Sequence, residues 1–305
     1  MDSARQTEWK DELLGEILKA VSAHPPLKPA LVFKGARILN LHLGSQRQSL
    51  DIDANLPFEF QREIPDRRMQ ADWFEKELSV AIRNHFEEQE PVRYELEAVK
   101  VILNPPTTPH PRGWDGLVAK IRVTDQKLRG VRALPTVELE IAAPEELGPD
   151  AVCELPMDGR PIQAYALHRI AGEKMRAFLT SLPAYRSKIH SAQREVRAKD
   201  LHDLARILEA RPIDDEAFWK RAIHEFQLAC KSRFVDCNGP ETFRQEWDTT
   251  RAIYESEANL TAVSWADVER TVKSILGFFD QNGAFPLSFP LEKPERNEPP
   301  SPSET

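Results

Sequence analysis

A glycine that opens a helix directly after a short apolar strand, with two carboxylates one residue apart soon afterwards, constrains this chain more than any other feature. The residues are Phe33-Lys34-Gly35-Ala36-Arg37-Ile38-Leu39, then Arg47-Gln48-Ser49-Leu50-Asp51-Ile52-Asp53. They read as a strand, a helix, a polar turn and a second strand. Alternate side chains of a strand share a face about 7 Å apart, so Asp51 and Asp53 are expected to point together while Leu50 and Ile52 turn to a core. A glycine at a helix start lets a phosphate approach backbone N–H groups where the helix dipole favours negative charge. Magnesium favours one or two protein carboxylates plus phosphate oxygens, which is the set this unit offers. A D-x-D pair also occurs on solvated strand edges, so the reading depends on what surrounds it.

Two further blocks follow: Gly172-Glu173-Lys174-Met175-Arg176-Ala177, and Arg197-Ala198-Lys199-Asp200-Leu201-His202-Asp203-Leu204. With Lys34-Gly35, the short helix and Arg47-x-Ser49-x-Asp51-Ile52-Asp53, they resemble the AbiEii/AbiGii-type nucleotidyltransferase toxins, a branch of the polymerase β-like nucleotidyltransferase superfamily. The blocks occur in that family's order and organise residues 28 to 210.

The chain is long enough for one large or two modest cores, at 305 residues. A formal net charge of −8 argues against a bulk nucleic-acid coat but leaves room for a local basic face. No apolar run is long enough to span a bilayer, and Met1-Asp2-Ser3-Ala4-Arg5 lacks the apolar core of a signal peptide, so the expected location is cytoplasmic. Cys153, Cys230 and Cys237 form no C-x-x-C pair and read as inert apolar residues. Without H-E-x-x-H or G-x-S-x-G, zinc and serine-hydrolase chemistry have no support.

Hydrophobic spacing predicts a helix over Glu8 to Val21, a strand at Ala30 to Phe33, a helix at Ala36 to Leu43 and the aspartate strand at Ser49 to Leu56. A helix over Ala71 to Phe86 follows, then strands at Val92 to Leu103, Leu117 to Val123 and Thr136 to Ala142. From Ile162 the pattern is helical: Tyr165 to Leu179, Gln193 to Leu208, Asp214 to Lys231, Pro240 to Tyr254 and Trp265 to Phe279. The expected fold is α+β, a small mixed-sheet nucleotidyltransferase domain over 1–155 and a helical domain over 156–285 that closes the nucleotide site. Residues 286–305, rich in proline, glutamate and serine, are expected to be a disordered tail.

Two metals held close together need more oxygen ligands than two aspartates provide. Thr136-Val137-Glu138-Leu139-Glu140-Ile141 alternates cleanly, with Glu138 and Glu140 on one face. By resemblance Glu140 is the first choice for a third acid and Glu138 the second. A solvated sheet face is the alternative.

Lys174 falls inside the apolar stripe Leu167, Ile170, Ala171, Met175 and Phe178, and a lysine there needs an anionic partner. That partner is a triphosphate, a structural carboxylate, or water reached by snorkelling. On the next helix Arg197 and Asp200 lie within the stripe of Val196, Leu201, Leu204, Ala205, Ile207 and Leu208, and Asp203 nearer its outer edge. Arg197 and Asp200 can pair with each other at i, i+3, or Asp200 can orient Lys174.

The resemblance implies Asp51, Asp53 and Glu140 as ligands of Mg2+ or Mn2+, with Lys174 and Asp200 completing the catalytic set. It implies nucleotide contacts at Lys34, Gly35, Ala36, Arg37, Arg47, Ser49, Lys174 and Arg197. One departure stands out. The family has a second small residue and then a hydroxyl residue after the glycine, where this chain has Ala36 and Arg37, so a charged donor would replace the hydroxyl.

The implied activity is transfer of NMP from an NTP to RNA, tRNA in particular, by the toxin of a toxin–antitoxin or phage-defence system with a cognate antitoxin. Lys120, Arg122, Lys127, Arg129 and Arg132 are candidate RNA contacts. A small-molecule nucleotidyltransferase and a non-catalytic nucleotide-binding protein are the alternatives.

Overall fold

The computed structural model describes residues 2–44, 50–107, 115–128, 130–131, 134–186, 196–257, 260 and 262–289. Of the residues singled out above, Arg47, Ser49, Arg129, Arg132 and the tail from 290 lie outside them.

The chain opens with α1 (Ser3–Ala23), whose N-cap Asp2 accepts a hydrogen bond from the Arg5 amide at 2.9 Å. Next come β1 (Val32–Lys34), α2 (Gly35–Leu43), β2 (Ile52–Asn55), α3 (Phe58–Glu63) and α4 (Arg67–Glu87). The remaining strands are β3 (Tyr94–Asn104), β4 (Gly116–Asp125), β5 (Val137–Ala142), β6 (Val152–Met157) and β7 (Arg160–Tyr165). The helices α5 (Leu167–Ser181), α6 (Pro183–Arg186), α7 (Ala198–Ala210), α8 (Glu216–Arg233), α9 (Trp247–Ser256) and α10 (Trp265–Gln281) complete the described fold. It is the mixed α+β architecture expected.

The strands form one seven-stranded sheet in the order β3-β4-β5-β2-β1-β7-β6. β2 runs parallel to β5 and β1 parallel to β7, and the other pairs are antiparallel. Alternation sets the faces. Phe33, Ala54, Ile141 and Leu117 are register neighbours buried on the face toward the core, while Lys34, Asp53, Glu140 and Val118 form the neighbouring row on the other.

The hairpin β6–β7 is absent from the sequence reading. β7 carries the sheet to Tyr165, past the expected division at 155, and one hydrophobic cluster runs from Trp9 to Leu287. The change of pattern near residue 160 therefore marks a switch from strands to helices, with the core continuous across it. The expected helix Pro240 to Tyr254 is two pieces, a 3-10 turn over Pro240–Arg244 and then α9. Glu246 sits at φ 53, a left-handed conformation that interrupts a helix. The expected tail also begins too early, since Leu287 pairs with Cys237 and the Phe289 amide donates to Asp236 Oδ1 at 2.7 Å.

Candidate active site

Three adjacent strands bring the site together in one row. Lys34 on β1 faces Asp53 on β2, and Asp53 faces Glu140 on β5. Gly35 follows Lys34 and begins α2 at φ 79, in the left-handed region where a Cβ is strained. A Cβ built there would lie 2.1 Å from Asp53 Oδ2, so the missing side chain is what lets Asp53 approach the helix start. At its other end α2 stops at Gly44, φ 61, whose amide donates to the Asn40 carbonyl.

The acids of this row oppose one another. Burial pushes Asp53 up, the charge of Asp51 adds to it, Lys34 partly offsets them, and Glu140 and Glu173 add again, leaving Asp53 at about 6. Glu140 is raised by burial, then by Asp51 and Glu138. Asp51 is exposed and precedes the first residue of β2, so the two aspartates are not on one strand as expected, though Asp51 still acts on both other acids. Carboxylates raised by neighbouring negative charge are stabilised by a cation placed among them.

Lys34 is the cation on the row, and it is held from behind. Its Nζ lies 3.7 Å from Glu145 Oε1 and 3.5 Å from Glu173 Oε1. Glu145 is itself fixed by the Tyr165 hydroxyl, which donates at 2.6 Å, by Asn55 Nδ2 at 3.1 Å, and by Arg169 Nη2 at 3.0 Å. Arg169 is fully buried and also pairs with Glu225 of α8 at 3.1 Å. Burial alone would raise Glu145, but Lys34 and Arg169 hold it well below the usual carboxylate range. The sequence reading missed Glu145, Arg169 and Glu225. Glu173 had a signal, its place beside Lys174, that was not used.

Lys174 is buried on α5, as its place in the apolar stripe implied, and its partners come from α7. Its Nζ lies 2.8 Å from Asp200 Oδ1 and 2.8 Å from Asp203 Oδ2. Burial would lower its pKa, but the two carboxylates raise it, so it stays charged. Asp203, expected near the outer edge, is 2 % exposed because Lys174 draws it inward. Arg197 is the residue before α7, and its Nη2 lies 3.3 Å from Asp200 Oδ1, so the expected i, i+3 pair forms as well. Asp200 raises Arg197 most, and Glu173 and Asp53 also do so, which sets Arg197 within electrostatic reach of the acid row.

The sequence placed Arg37 as a phosphate donor replacing a hydroxyl. Its Nη2 instead donates to Asp11 Oδ1 at 2.6 Å and to the Asp11 carbonyl at 3.1 Å, tying α2 to α1. Ala36 lies in the first turn of α2 as expected. Glu138 sits one row from Glu140 and pairs with Lys120 at 3.6 Å. Among the described residues no three His, Cys, Asp or Glu side chains are gathered closely enough to enclose a metal by themselves. No helix among them is long and apolar enough to cross a membrane.

Three comparisons bear on this arrangement. The sequence matches the family described as "Nucleotidyl transferase AbiEii toxin, Type IV TA system" over residues 16–273. Among curated proteins none matches it. Similar solved structures include a candidate nucleotidyltransferase from Helicobacter pylori, at 15% identity and TM-score 0.49, covering 92% of this chain and 95% of that one. JHP933 from Helicobacter pylori has 15% identity and TM-score 0.49, covering 90% and 91%. An antigenic nucleotidyltransferase-like protein from Paracoccidioides brasiliensis has 16% identity and TM-score 0.29, covering 67% and 92%. The family match spans most of the chain and both blocks around the row of Lys34, Asp53 and Glu140; this chain is a nucleotidyltransferase that belongs to the AbiEii toxin family of type IV toxin–antitoxin systems.

Proposed function

We propose that the chain moves NMP from an NTP to an RNA hydroxyl, tRNA foremost, in a reaction that depends on Mg2+ or Mn2+ and releases pyrophosphate. It would act in the cytoplasm as the toxin paired with a cognate antitoxin, in phage defence. The observation that carries this reading is the row of Lys34, Asp53 and Glu140 beside the Cβ-free start of α2.

Asp51 and Asp53 would hold the metal, with Glu140 beside them and phosphate oxygens completing a shell that no three described side chains close by themselves; that Asp51 raises both Asp53 and Glu140 fits a cation seat. When bound, the ion supplies charge neutralisation and a fixed seat for phosphate oxygens. At the start of α2, where Gly35 brings no side chain, the backbone amides would meet the outer phosphates, and Lys34 would add a positive charge beside them. The acceptor oxygen bonds to the α-phosphorus while the bond from the α-phosphorus to the α–β bridging oxygen breaks. Pyrophosphate leaves with that electron pair, and Glu140 takes the hydroxyl proton. Glu140 is favoured over Glu138 because it is the direct register partner of Asp53, whereas Glu138 lies one row away beside Lys120. Lys174 and Asp200 serve as positioning residues that lock α5 to α7 and set Arg197 at the rim, where its guanidinium would meet the nucleotide.

One observation favours the non-catalytic alternative. Arg37 pairs with Asp11 of α1, an engagement that competes with a role as replacement for the family's hydroxyl donor. The test is transfer of α-labelled nucleotide to total tRNA with each NTP and Mg2+, in the native chain and in Asp51→Ala and Asp53→Ala. Label that vanishes in both variants supports the proposal. Bound NTP with no labelled RNA moves the assignment to a small-molecule acceptor or to a nucleotide-binding protein without turnover.

A further inference from the structure

The acid row does not end at Glu140. Its register continues outward to Val118 on β4 and Ile102 on β3. On this face α5 reaches Lys34 through Glu173 at the β1 end, whereas Glu140 and Ile102 are exposed at the other. Ile102 is 38 % exposed. A large acceptor can therefore approach the acids over β5, β4 and β3.

One step along the strands lies a second row, Lys100, Lys120 and Glu138, and beyond it a third with Ala98 and Arg122. Lys100 and Lys120 are direct cross-strand partners. Two like charges facing each other across a β-pair are destabilising, so the pair is anomalous unless an anion is received there. Each has only a loose, exposed partner of its own: Lys100 lies 3.9 Å from Glu75, and Lys120 3.6 Å from Glu138. Arg122 is exposed on the third row, across from Ala98. Successive rows on one face are about 7 Å apart, so the cations step away from the acids along the strands. Glu97, in the bulge of β3 between Leu96 and Ala98, and Glu95 beyond it bound the basic stretch.

We propose that this open face of β3, β4 and β5 is the track for a single-stranded RNA end. Lys100, Lys120 and Arg122 receive its phosphates, Val118 and Ile102 seat a base, and the terminal hydroxyl is delivered to Glu140 and Asp53. The inference rests on the RNA-acceptor reading given above. It separates two binding functions in space: the NTP belongs to the α2 side of the row and the acceptor to the β4 side.

The test is the triple variant Lys100→Gln, Lys120→Gln, Arg122→Gln in the full chain, all three positions being exposed. Binding of labelled total tRNA is measured against salt, and KM is measured separately for tRNA and NTP. The expected result is a tRNA affinity at least tenfold weaker and a tRNA KM raised in parallel, with the NTP KM unchanged. Each single-strand phosphate that is no longer neutralised takes about 0.7 from the slope of log affinity against log salt, so the slope should fall by about 2. A variant that binds and labels tRNA like the native chain overturns the track and leaves the transferase intact. A native chain that binds NTP but neither binds nor labels RNA overturns the acceptor reading and the track together. Polyglutamate competing as well as an RNA of equal charge assigns the face to an acidic protein partner and also overturns the track.

Discussion

The two charged regions that meet at the start of α2 are built in opposite ways. On the helical side, Lys174 sits between Asp200 and Asp203, and Arg169 between Glu145 and Glu225, so that each buried cation faces two carboxylates. On the sheet side burial and the charge of Asp51 raise both Asp53 and Glu140, with Lys34 as the opposing charge. The first arrangement is complete by itself and fixes geometry. In the second, Asp53 and Glu140 stay raised in spite of Lys34, which is the state expected of carboxylates that take a cation. Burial of charge therefore does not identify function; the balance of charge does.

The largest effect expected from that contrast is on activity. Asp53→Ala should lower the rate of nucleotide transfer by about 10³-fold or more, the scale of losing a central electrostatic group, as read by label incorporation. On the helical side Lys174→Met should instead lower stability, by about 3–5 kcal/mol in urea unfolding, because it leaves Asp200 and Asp203 buried without their cation. Lost activity there should follow lost fold, and a variant that keeps the native unfolding midpoint but loses turnover would break the division.

Gly35→Ala combines both regions. The new methyl meets Asp53 and the backbone stays left-handed, so stability should drop by about 1–3 kcal/mol and NTP affinity with it, as measured by unfolding and by nucleotide titration.

The pH dependence has a definite sign. Asp53 titrates at about 6 in the fold against an ordinary 3.8, so the fold binds its proton more tightly than the unfolded chain does. Its contribution to stability is fully present below the lower value and is lost as pH rises through the upper one. In metal-free protein the unfolding free energy should therefore fall between those two pH values by about 1–3 kcal/mol, and Asp53→Asn should remove that fall. The smallest effect belongs to the surface: breaking the exposed Lys120–Glu138 pair with Glu138→Gln should change stability by about 1 kcal/mol or less.

Much of the sheet side was legible because its signals are local. The apolar strand, Gly35 and the alternation around Asp53 and Glu140 each lie within a few residues, and the fold sets them in one register. Lys174 was legible for a similar reason, since one charge interrupts a helical stripe. Its partner Asp203 was misjudged because a side chain's exposure depends on what another helix brings to it. The Arg37–Asp11 pair was not legible, because Asp11 lies on α1 and no local pattern joins the two.

The β6–β7 hairpin did carry a signal, Asp158-Gly159, with φ 52 and 76 as a tight hairpin turn requires. Pro156 and Pro161, residues that cannot donate to a strand ladder, flank that turn and face each other across the pair, which weakens the strand pattern there. The network of Glu145, Arg169 and Glu225 joins a loop and two helices, and that convergence comes only with the tertiary fold.

The most direct measurement is urea unfolding of Asp53→Asn beside the native chain at pH 7.5, each with and without Mg2+ and a non-hydrolysable NTP. The predicted result is a variant more stable than the native chain without ligands and unmoved by adding them, while the native chain gains stability from both. A variant less stable than the native chain without ligands, or a native chain that Mg2+ and nucleotide leave unchanged, would contradict the claim that Asp53, raised by burial and its neighbouring acids, belongs to a seat for metal and phosphate.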